Sequence, residues 1–199
     1  TKERPRRNAK LDMAFSKDDP EFSVLDKLLQ EKRYLVGIAE VDDVLKVSGG
    51  DRSASVYGMQ TYNVASLIEW YARATSRMAD RIDRGNKKKK KVSTEHKIMM
   101  GTHGGVAESF LAEVIRYTMS DAERERFLHF IPNGFGFVEG ADIDIVGVSG
   151  NQEPTIRIRF TLGSGEAYSY DKKVPVAVIY KIVGDFSPKQ SLKSSKSPQ

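Results

Sequence analysis

Cysteine is absent from the 199 residues of this chain. Its absence excludes disulfides, thiolate metal sites and cysteine nucleophiles, and it fits a reducing compartment such as the cytosol or nucleus. Long apolar runs are missing as well, since none approaches the roughly 20 residues that are needed to span a bilayer. The opening segment TKERPRRNAK is charged and no apolar stretch follows it, so we expect a non-secreted protein. Its first residue is Thr1, and we expect a nearly complete chain that has lost only its initiator Met.

Signatures of catalysis are scarce. The sequence has neither a Gly-x-Ser-x-Gly elbow nor a zincin motif, and the turn at 101–105 lacks the spacing and the lysine of a Walker loop. The chain has three histidines, namely His96, His103 and His129. They lack the close spacing of a zinc site. We expect His129, near the core edge of a helix, to be structural.

One group of carboxylates stands out near the end of the chain. Asp142 and Asp144 share a face of a predicted strand, and Glu139 lies nearby. A functional interpretation makes them a carboxylate pair or a set of metal ligands. The alternative is that they are ordinary exposed residues of a strand. Because no set of base, nucleophile and orienting group is visible, we expect no enzyme, no cofactor and no small-molecule substrate.

The charge balance is basic. There are 32 Lys and Arg against 27 Asp and Glu, which gives a formal net charge of +5 and a pI of about 9.3. Such a balance favours an acidic partner, either nucleic acid or an anionic membrane surface.

Composition divides the chain into three parts. Residues 1–20 are basic and then acidic, with few large apolar groups, and predict a disordered basic arm. Residues 184–199 predict a disordered tail that is rich in Ser and Lys. The region between them, 21–183, predicts a single compact α+β domain with a mostly antiparallel sheet and about three to four helices packed on one side of it.

The periodicity of apolar residues predicts the helices and strands of that domain. Strands are expected at 34–41 and 53–59, after a short helix that begins near Ser23 with Val24, Leu25, Leu28 and Leu29 on one face. Helices are expected at 61–84, 105–119 and 120–130, the last opened by a Ser-Asp-Ala-Glu capping box. Strict alternation predicts a strand at 155–162, and Val174, Val176, Val178, Tyr180 and Ile182 predict the inward face of a last strand.

The segment GNKKKKKVSTEH contains five consecutive lysines directly after the long predicted helix, which we expect Gly85 and Asn86 to end. Three arginines recur every four residues on one stripe of that helix, where like charges repel slightly and do not stabilise it. We interpret the loop, the stripe and the N-terminal arm as a surface for RNA phosphates or lipid headgroups; a solvated loop is the alternative. The candidate anion-binding residues are Lys87, Lys88, Lys89, Lys90, Lys91, Arg73, Arg77, Arg81, Lys2, Arg4, Arg6, Arg7 and Lys10.

The segment Gly134–Val138, GFGFV, resembles the core of the RNP-1 motif of RNA-recognition domains, whose aromatics stack on bases. Its flanks differ, because Asn133 replaces the basic residue and Gly140 replaces the final aromatic. We therefore expect Phe135 and Phe137 to be core residues that enter a strand.

The layout resembles that of rhabdovirus matrix proteins. The segment Thr61–Ala65, TYNVA, with Trp70 after it, is similar to the helix entry of such matrix domains, where a helix opens just after a strand. The basic arm, the lysine-containing loop and the late strands are similar in order across residues 1–183. A departure is that no Pro-Pro-x-Tyr budding motif occurs.

The resemblance implies a non-enzymatic virion protein in the virion and the host cytoplasm or at the inner membrane face. It implies self-association, contact with the viral nucleocapsid or RNA, and binding to the anionic membrane surface through basic segments. The alternative is a capsid or other nucleic-acid-binding structural protein, whose arm from Lys2 to Lys10 neutralises packaged nucleic acid. A jelly-roll capsid is disfavoured, because roughly 60 central residues read as helical. A small enzyme on an α+β scaffold is the third class.

Overall fold

A computed structural model describes residues 22–87, 105–135, 140–149, 152–163 and 168–188. Within these ranges the chain forms six α-helices, a short 3-10 turn and three β-strands. In chain order they are α1 (Phe22–Gln30), α2 (Tyr34–Ser48), the 3-10 turn (Arg52–Ala54), α3 (Val56–Lys87), α4 (Val106–Thr118), α5 (Asp121–Phe130), β1 (Asp142–Val146), β2 (Thr155–Leu162), β3 (Tyr168–Val174) and α6 (Val176–Phe186).

The three strands form one antiparallel sheet in the order β1-β2-β3. The predicted alternation of β2 is confirmed: Ile156, Ile158, Phe160 and Leu162 are buried, while the polar side chains between them face outward. Phe127 of α5 packs on Phe160 with ring centroids 5.5 Å apart. The apolar face of the sheet therefore closes one side of a core that the helices build.

A mixed α+β architecture is confirmed, but its proportions differ from the prediction. The described residues contain six helices, where three to four were expected, and the sheet has only three strands. Helices α2, α3 and α4 supply much of the buried core, so the sheet flanks a helical assembly rather than supporting it.

The predicted strand at 34–41 is wrong, because these residues form the first half of α2. Every residue from Tyr34 to Ala39 is buried. A helix that is buried on all sides carries no helical period, so a short apolar run of this kind does not distinguish helix from strand. The predicted strand at 53–59 is also wrong: it spans the 3-10 turn and the first turn of α3.

The predicted last strand is wrong beyond Val174, where β3 ends. Pro175 precedes α6, and Val176, Ile179, Ile182 and Phe186 are buried at helical spacing. Proline fits this place because a helix start needs no backbone N–H there. Helix α6 runs to Phe186, which is three residues beyond the end of the predicted domain at 183; residues 189–199 lie outside the described residues.

The remaining helices agree with the sequence except at their ends. Helix α3 starts five residues before the predicted Thr61 and continues through Gly85 and Asn86 to Lys87. Helix α5 begins with the predicted cap, as the Ser120 hydroxyl accepts a hydrogen bond of 3.1 Å from the amide of Glu123. In α1, Leu28 packs against the core, whereas Val24 and Leu29 are exposed.

Candidate anion-binding surface

Helix α3 turns one face to solvent. Between Val56 and Gly85, the part of α3 whose side chains are described, five residues are exposed. We call them the α3 outer face: Trp70, Arg73, Arg77, Arg81 and Arg84. At 100° per residue they fall within about 80° of the helix circumference, and Trp70 and Arg84 are about 21 Å apart along the axis. The exposed side of this helix is thus one tryptophan followed by four arginines.

The α3 outer face is exposed to solvent because the opposite side of the helix packs into the core. Val64, Leu67 and Ile68 are buried, and Ala65 and Ala72 have no exposed area. These positions repeat every three to four residues, which fixes the rotation of the helix about its axis.

The arginines differ in how firmly they are held. Arg73 forms an ion pair with Glu69, and its guanidinium lies 5.6 Å from the ring centroid of Tyr180 on α6. Arg84 donates a hydrogen bond of 3.3 Å to the carbonyl of Asp80. Within the described part of the chain, neither Arg77 nor Arg81 has an ion-pair partner. Two guanidinium groups at the centre of the face are therefore not paired with any carboxylate of the described ranges.

Acidic residues border this face on one flank. Glu69, Asp80 and Asp83 are half-buried, and helical geometry places them on the same side of the arginine stripe. Asp80 and Asp83 both have interactions of their own. The negative charges of the face therefore lie along one flank, and the outward line carries only arginines among its charged residues.

The structure brings together three of the residues that the sequence indicated, namely Arg73, Arg77 and Arg81. Lys87 is the last residue of α3, so the lysine run follows the helix directly. Trp70 and Arg84 belong to the same face, and a helical wheel drawn from residue 70 to 84 would have indicated both. The other candidates, Lys88, Lys89, Lys90, Lys91, Lys2, Arg4, Arg6, Arg7 and Lys10, lie outside the described residues.

A second concentration of charge is buried between the helices. Glu113 of α4 has no exposed area and lies 2.9 Å from Nη1 of Arg116, 3.3 Å from Nε of Arg124 and 3.7 Å from Nη2 of Arg52. It also accepts a hydrogen bond of 2.8 Å from the Tyr57 hydroxyl. We call this group, together with Asp42 and Asp43, the buried ionic cluster.

The two aspartates pair with the same arginines. Asp43 bridges Nη2 of Arg116 at 2.7 Å and Nη1 of Arg124 at 2.8 Å, and Asp42 lies 2.5 Å from Nη2 of Arg52. The Arg52 guanidinium also stacks 3.9 Å from the ring centroid of Phe186. Two more carboxylates, both exposed, also pair with these arginines: Asp121 lies 2.7 Å from Arg116, and Glu125 lies 2.7 Å from Arg124. The contacts of the three arginines thus join five helices and the 3-10 turn.

The tyrosine and the arginines of the cluster keep their ordinary protonation states. Burial, and next the negative charge of Glu113, raises the pKa of Tyr57 well above its usual value, so its phenol stays protonated. Burial alone would lower the pKa of Arg124, but its contacts with the Tyr57 hydroxyl and with the carboxylates of Glu113 and Asp43 raise it instead. Arginines that stay charged opposite paired carboxylates are a structural arrangement.

The carboxylates of β1 are engaged on the outer face of the sheet. Both are exposed, and Arg159 lies 2.8 Å from Asp144 and 3.9 Å from Asp142. Arg157 forms two hydrogen bonds of 2.7 Å with Asp171. An open depression of about 800 Å³ crosses this face, and its charged groups are paired with one another.

The other motifs of the sequence are placed as follows. His129 is exposed, which corrects its expected place near the core, and His96 and His103 lie outside the described residues. No cluster that would hold a metal ion occurs in the described ranges. Phe135 is half-buried, with its ring centroid 6.2 Å from that of Phe160, as expected of a core residue; Phe137 lies outside the described residues.

The segment Thr61–Ala65 lies inside α3, and the element before α3 is the 3-10 turn, which follows α2. The strand that the matrix-type pattern requires before this helix is therefore absent from residues 22–60. None of the described helices is both long and apolar enough to cross a bilayer. No protein-family model, curated protein or solved structure matches this chain.

Proposed function

We propose that this chain is a non-enzymatic structural protein of matrix type that binds a polyanion through the α3 outer face. One observation carries the proposal: apart from Trp70, every exposed side chain described on α3 is an arginine. Arginines four residues apart repel one another by about 0.2–0.5 kcal/mol, so their arrangement does not serve helix stability. Guanidinium groups match phosphate oxygens in geometry and keep their charge at any physiological pH.

The sequence around the face supports the same partner. The lysine run begins at Lys87, the last residue of α3, and in the sequence four more lysines follow it directly. A nucleocapsid with its RNA and an anionic membrane leaflet both present phosphates, and a matrix-type protein bridges the two. The alternative, a capsid or other nucleic-acid-binding structural protein, uses the same surface for packaged nucleic acid.

Self-association, which a matrix-type role also requires, is favoured by an apolar stripe on α2. Val41, Val44 and Val47 are 53%, 68% and 90% exposed, and their spacing of three residues places them on adjacent turns of one side. Exposed apolar stripes of this kind mark contact surfaces. We expect Val44→Asp together with Val47→Asp to lower the sedimentation coefficient of the protein; an unchanged coefficient would exclude this stripe from self-association.

The polyanion surface is tested by removing charge from the centre of the face. We expect Arg77→Gln with Arg81→Gln to weaken binding to RNA and to anionic liposomes about tenfold or more at low salt. Loss of two phosphate contacts would also reduce the slope of log K against log salt by about 1.4 for single-stranded RNA. The matched control is Lys172→Gln with Lys173→Gln, which removes the same charge from the exposed surface of β3.

Replacing all five lysines from Lys87 to Lys91 with glutamine tests the lysine run in the same assays, and we expect weaker binding and a flatter salt dependence. Binding that equals that of the control pair, for both the arginine and the lysine variants, would contradict the proposal. Negative-stain images distinguish the two roles: open or helical polymers and recruitment to liposomes support the matrix type, whereas closed particles that protect RNA support the capsid alternative.

A further inference from the structure

We infer that the α3 outer face binds single-stranded nucleic acid, with Trp70 stacked on an unpaired base and Arg77, Arg81 and Arg84 along the backbone phosphates. The inference rests on the proposed polyanion surface and specifies its ligand. It starts from Trp70, which is the only tryptophan of the chain and is 55% exposed.

The Trp70 indole is exposed and is therefore accessible to a ligand. It meets the half-buried Tyr71 edge-on, with ring centroids 4.9 Å apart, and this contact braces it without covering it. Tyr180 of α6 is 40% exposed, and Arg73 bridges toward it from α3. One end of the face is therefore aromatic, and the other end, from Arg77 onward, is cationic.

An aromatic platform beside a line of guanidinium groups matches the chemistry of a single strand. Unpaired bases present a π-face on which an indole stacks without regard to sequence, while a basic groove follows the phosphates. In a duplex these base faces are hidden by stacking within the helix, and RNA-binding proteins therefore use aromatics mainly on unpaired bases. The arginines are spaced about 4.5–6 Å apart along α3, over a total length of about 21 Å from Trp70 to Arg84.

A membrane surface fits this arrangement less well. Helices that lie in a bilayer interface carry Trp, Phe and Leu on the face opposite their Lys and Arg residues. In α3 the apolar face is buried in the core through Val64, Leu67 and Ile68, and Trp70 shares the arginine face. No exposed aliphatic side chain accompanies the indole on that part of the helix.

The single tryptophan makes the inference directly measurable. The wild-type protein is titrated with a 12-nucleotide oligouridine, with an RNA duplex of equal length, and with vesicles of phosphatidylcholine and phosphatidylserine. We expect oligouridine to quench the Trp70 fluorescence strongly, with affinity at least about fivefold higher than for the duplex. Vesicles are expected to leave the emission maximum unchanged.

Variants separate stacking from charge, with binding followed by the anisotropy of a labelled oligouridine. Trp70→Ala should weaken binding about tenfold without changing the salt slope, because no phosphate contact is lost, and Trp70→Phe should recover most of it. Circular dichroism of each variant confirms that the exposed substitution leaves the helices intact.

Three results would overturn the inference: oligouridine binding without quenching and without an effect of Trp70→Ala, equal affinity for the duplex, or a blue shift that only vesicles produce. The proposed polyanion surface would survive all three. It fails on a different result, namely binding by both the arginine variant and the lysine variant that equals binding by the Lys172 and Lys173 control.

Discussion

The Tyr57 hydroxyl of α3 donates a hydrogen bond of 2.8 Å to Oε1 of Glu113 on α4, and neither side chain has any exposed area. Glu113 also faces Arg116, Arg124 and Arg52. These three guanidinium groups therefore share one buried carboxylate, in addition to the carboxylates of Asp42 and Asp43. The pairing of α3 with α4 therefore depends on a charge as well as on apolar contact.

We expect Glu113→Gln to lower the free energy of unfolding by about 3–5 kcal/mol, because it removes a fully buried counter-charge that three arginines share. Glutamine keeps the shape of the side chain, so the loss reports charge rather than packing. Urea unfolding at neutral pH measures it. The control Glu153→Gln changes an exposed residue, and we expect a change within about 0.5 kcal/mol. A loss at Glu113 as small as that of the control would show that the buried ionic cluster is not needed for stability.

Asp43 makes this cluster sensitive to acid. Burial alone would raise the pKa of Asp43, but hydrogen bonds and charge from Arg116 and Arg124 outweigh burial and lower it. Its stabilising effect is therefore complete above the unfolded pKa of about 3.9 and is lost as pH falls through the lower folded pKa. We expect the destabilisation by Asp43→Asn to be smaller at pH 3 than at pH 7.

Denaturant unfolding at both pH values tests this expectation, with Asp26→Asn on the exposed surface of α1 as the control. A penalty for Asp43→Asn that stays the same between pH 7 and pH 3 would exclude Asp43 as a source of acid sensitivity.

Sequence patterns predicted the elements that have one buried face. The strand β2 alternates and α5 carries its own cap, so both were evident from the residues themselves. Helix α2 was misread because residues Tyr34–Ala39 are buried on all sides. The alternation from Val174 to Ile182 concealed α6, since Val176, Ile179 and Ile182 satisfy a helical period equally well.

The candidate surface was partly predictable and the buried ionic cluster was not. The arginine stripe is local in sequence, so its period is visible. Asp43 and Arg124 are 81 positions apart, and only the packing of α2 against α5 brings them together. Trp70 was interpreted as part of a helix-entry motif, although the same helical period places it on the arginine stripe.

Gly58 marks the contact between α3 and the 3-10 turn. A Cβ atom at this position would lie 1.8 Å from the carbonyl oxygen of Arg52, which is part of the backbone and has little room to move. We expect Gly58→Ala to destabilise the protein by about 1–3 kcal/mol through overpacking. In the matched control, Gly184→Ala, nothing lies within 4 Å of the new methyl group, and α6 should gain about 0.5–1 kcal/mol. Thermal unfolding of both variants measures the difference, and equal melting temperatures would contradict the close contact.

We expect Tyr57 to make the free energy of unfolding depend on pH in the alkaline range. Burial first, and then the charge of Glu113, raises the pKa of Tyr57 well above its ordinary value of 10.0. A raised folded pKa gives stability that is complete below the unfolded pKa and is lost as pH rises above it, because only the unfolded chain then releases the proton.

Tyr57→Phe removes this proton, and it also removes the hydrogen bond to Glu113 at every pH. We therefore expect the destabilisation by Tyr57→Phe to be about 1.4 kcal/mol smaller at pH 11 than at pH 8, since one proton changes stability by about 1.36 kcal/mol per pH unit. Urea unfolding at the two pH values gives the comparison, in which the lost hydrogen bond cancels, and an identical penalty at both would show that Tyr57 ionises alike in the folded and unfolded chain.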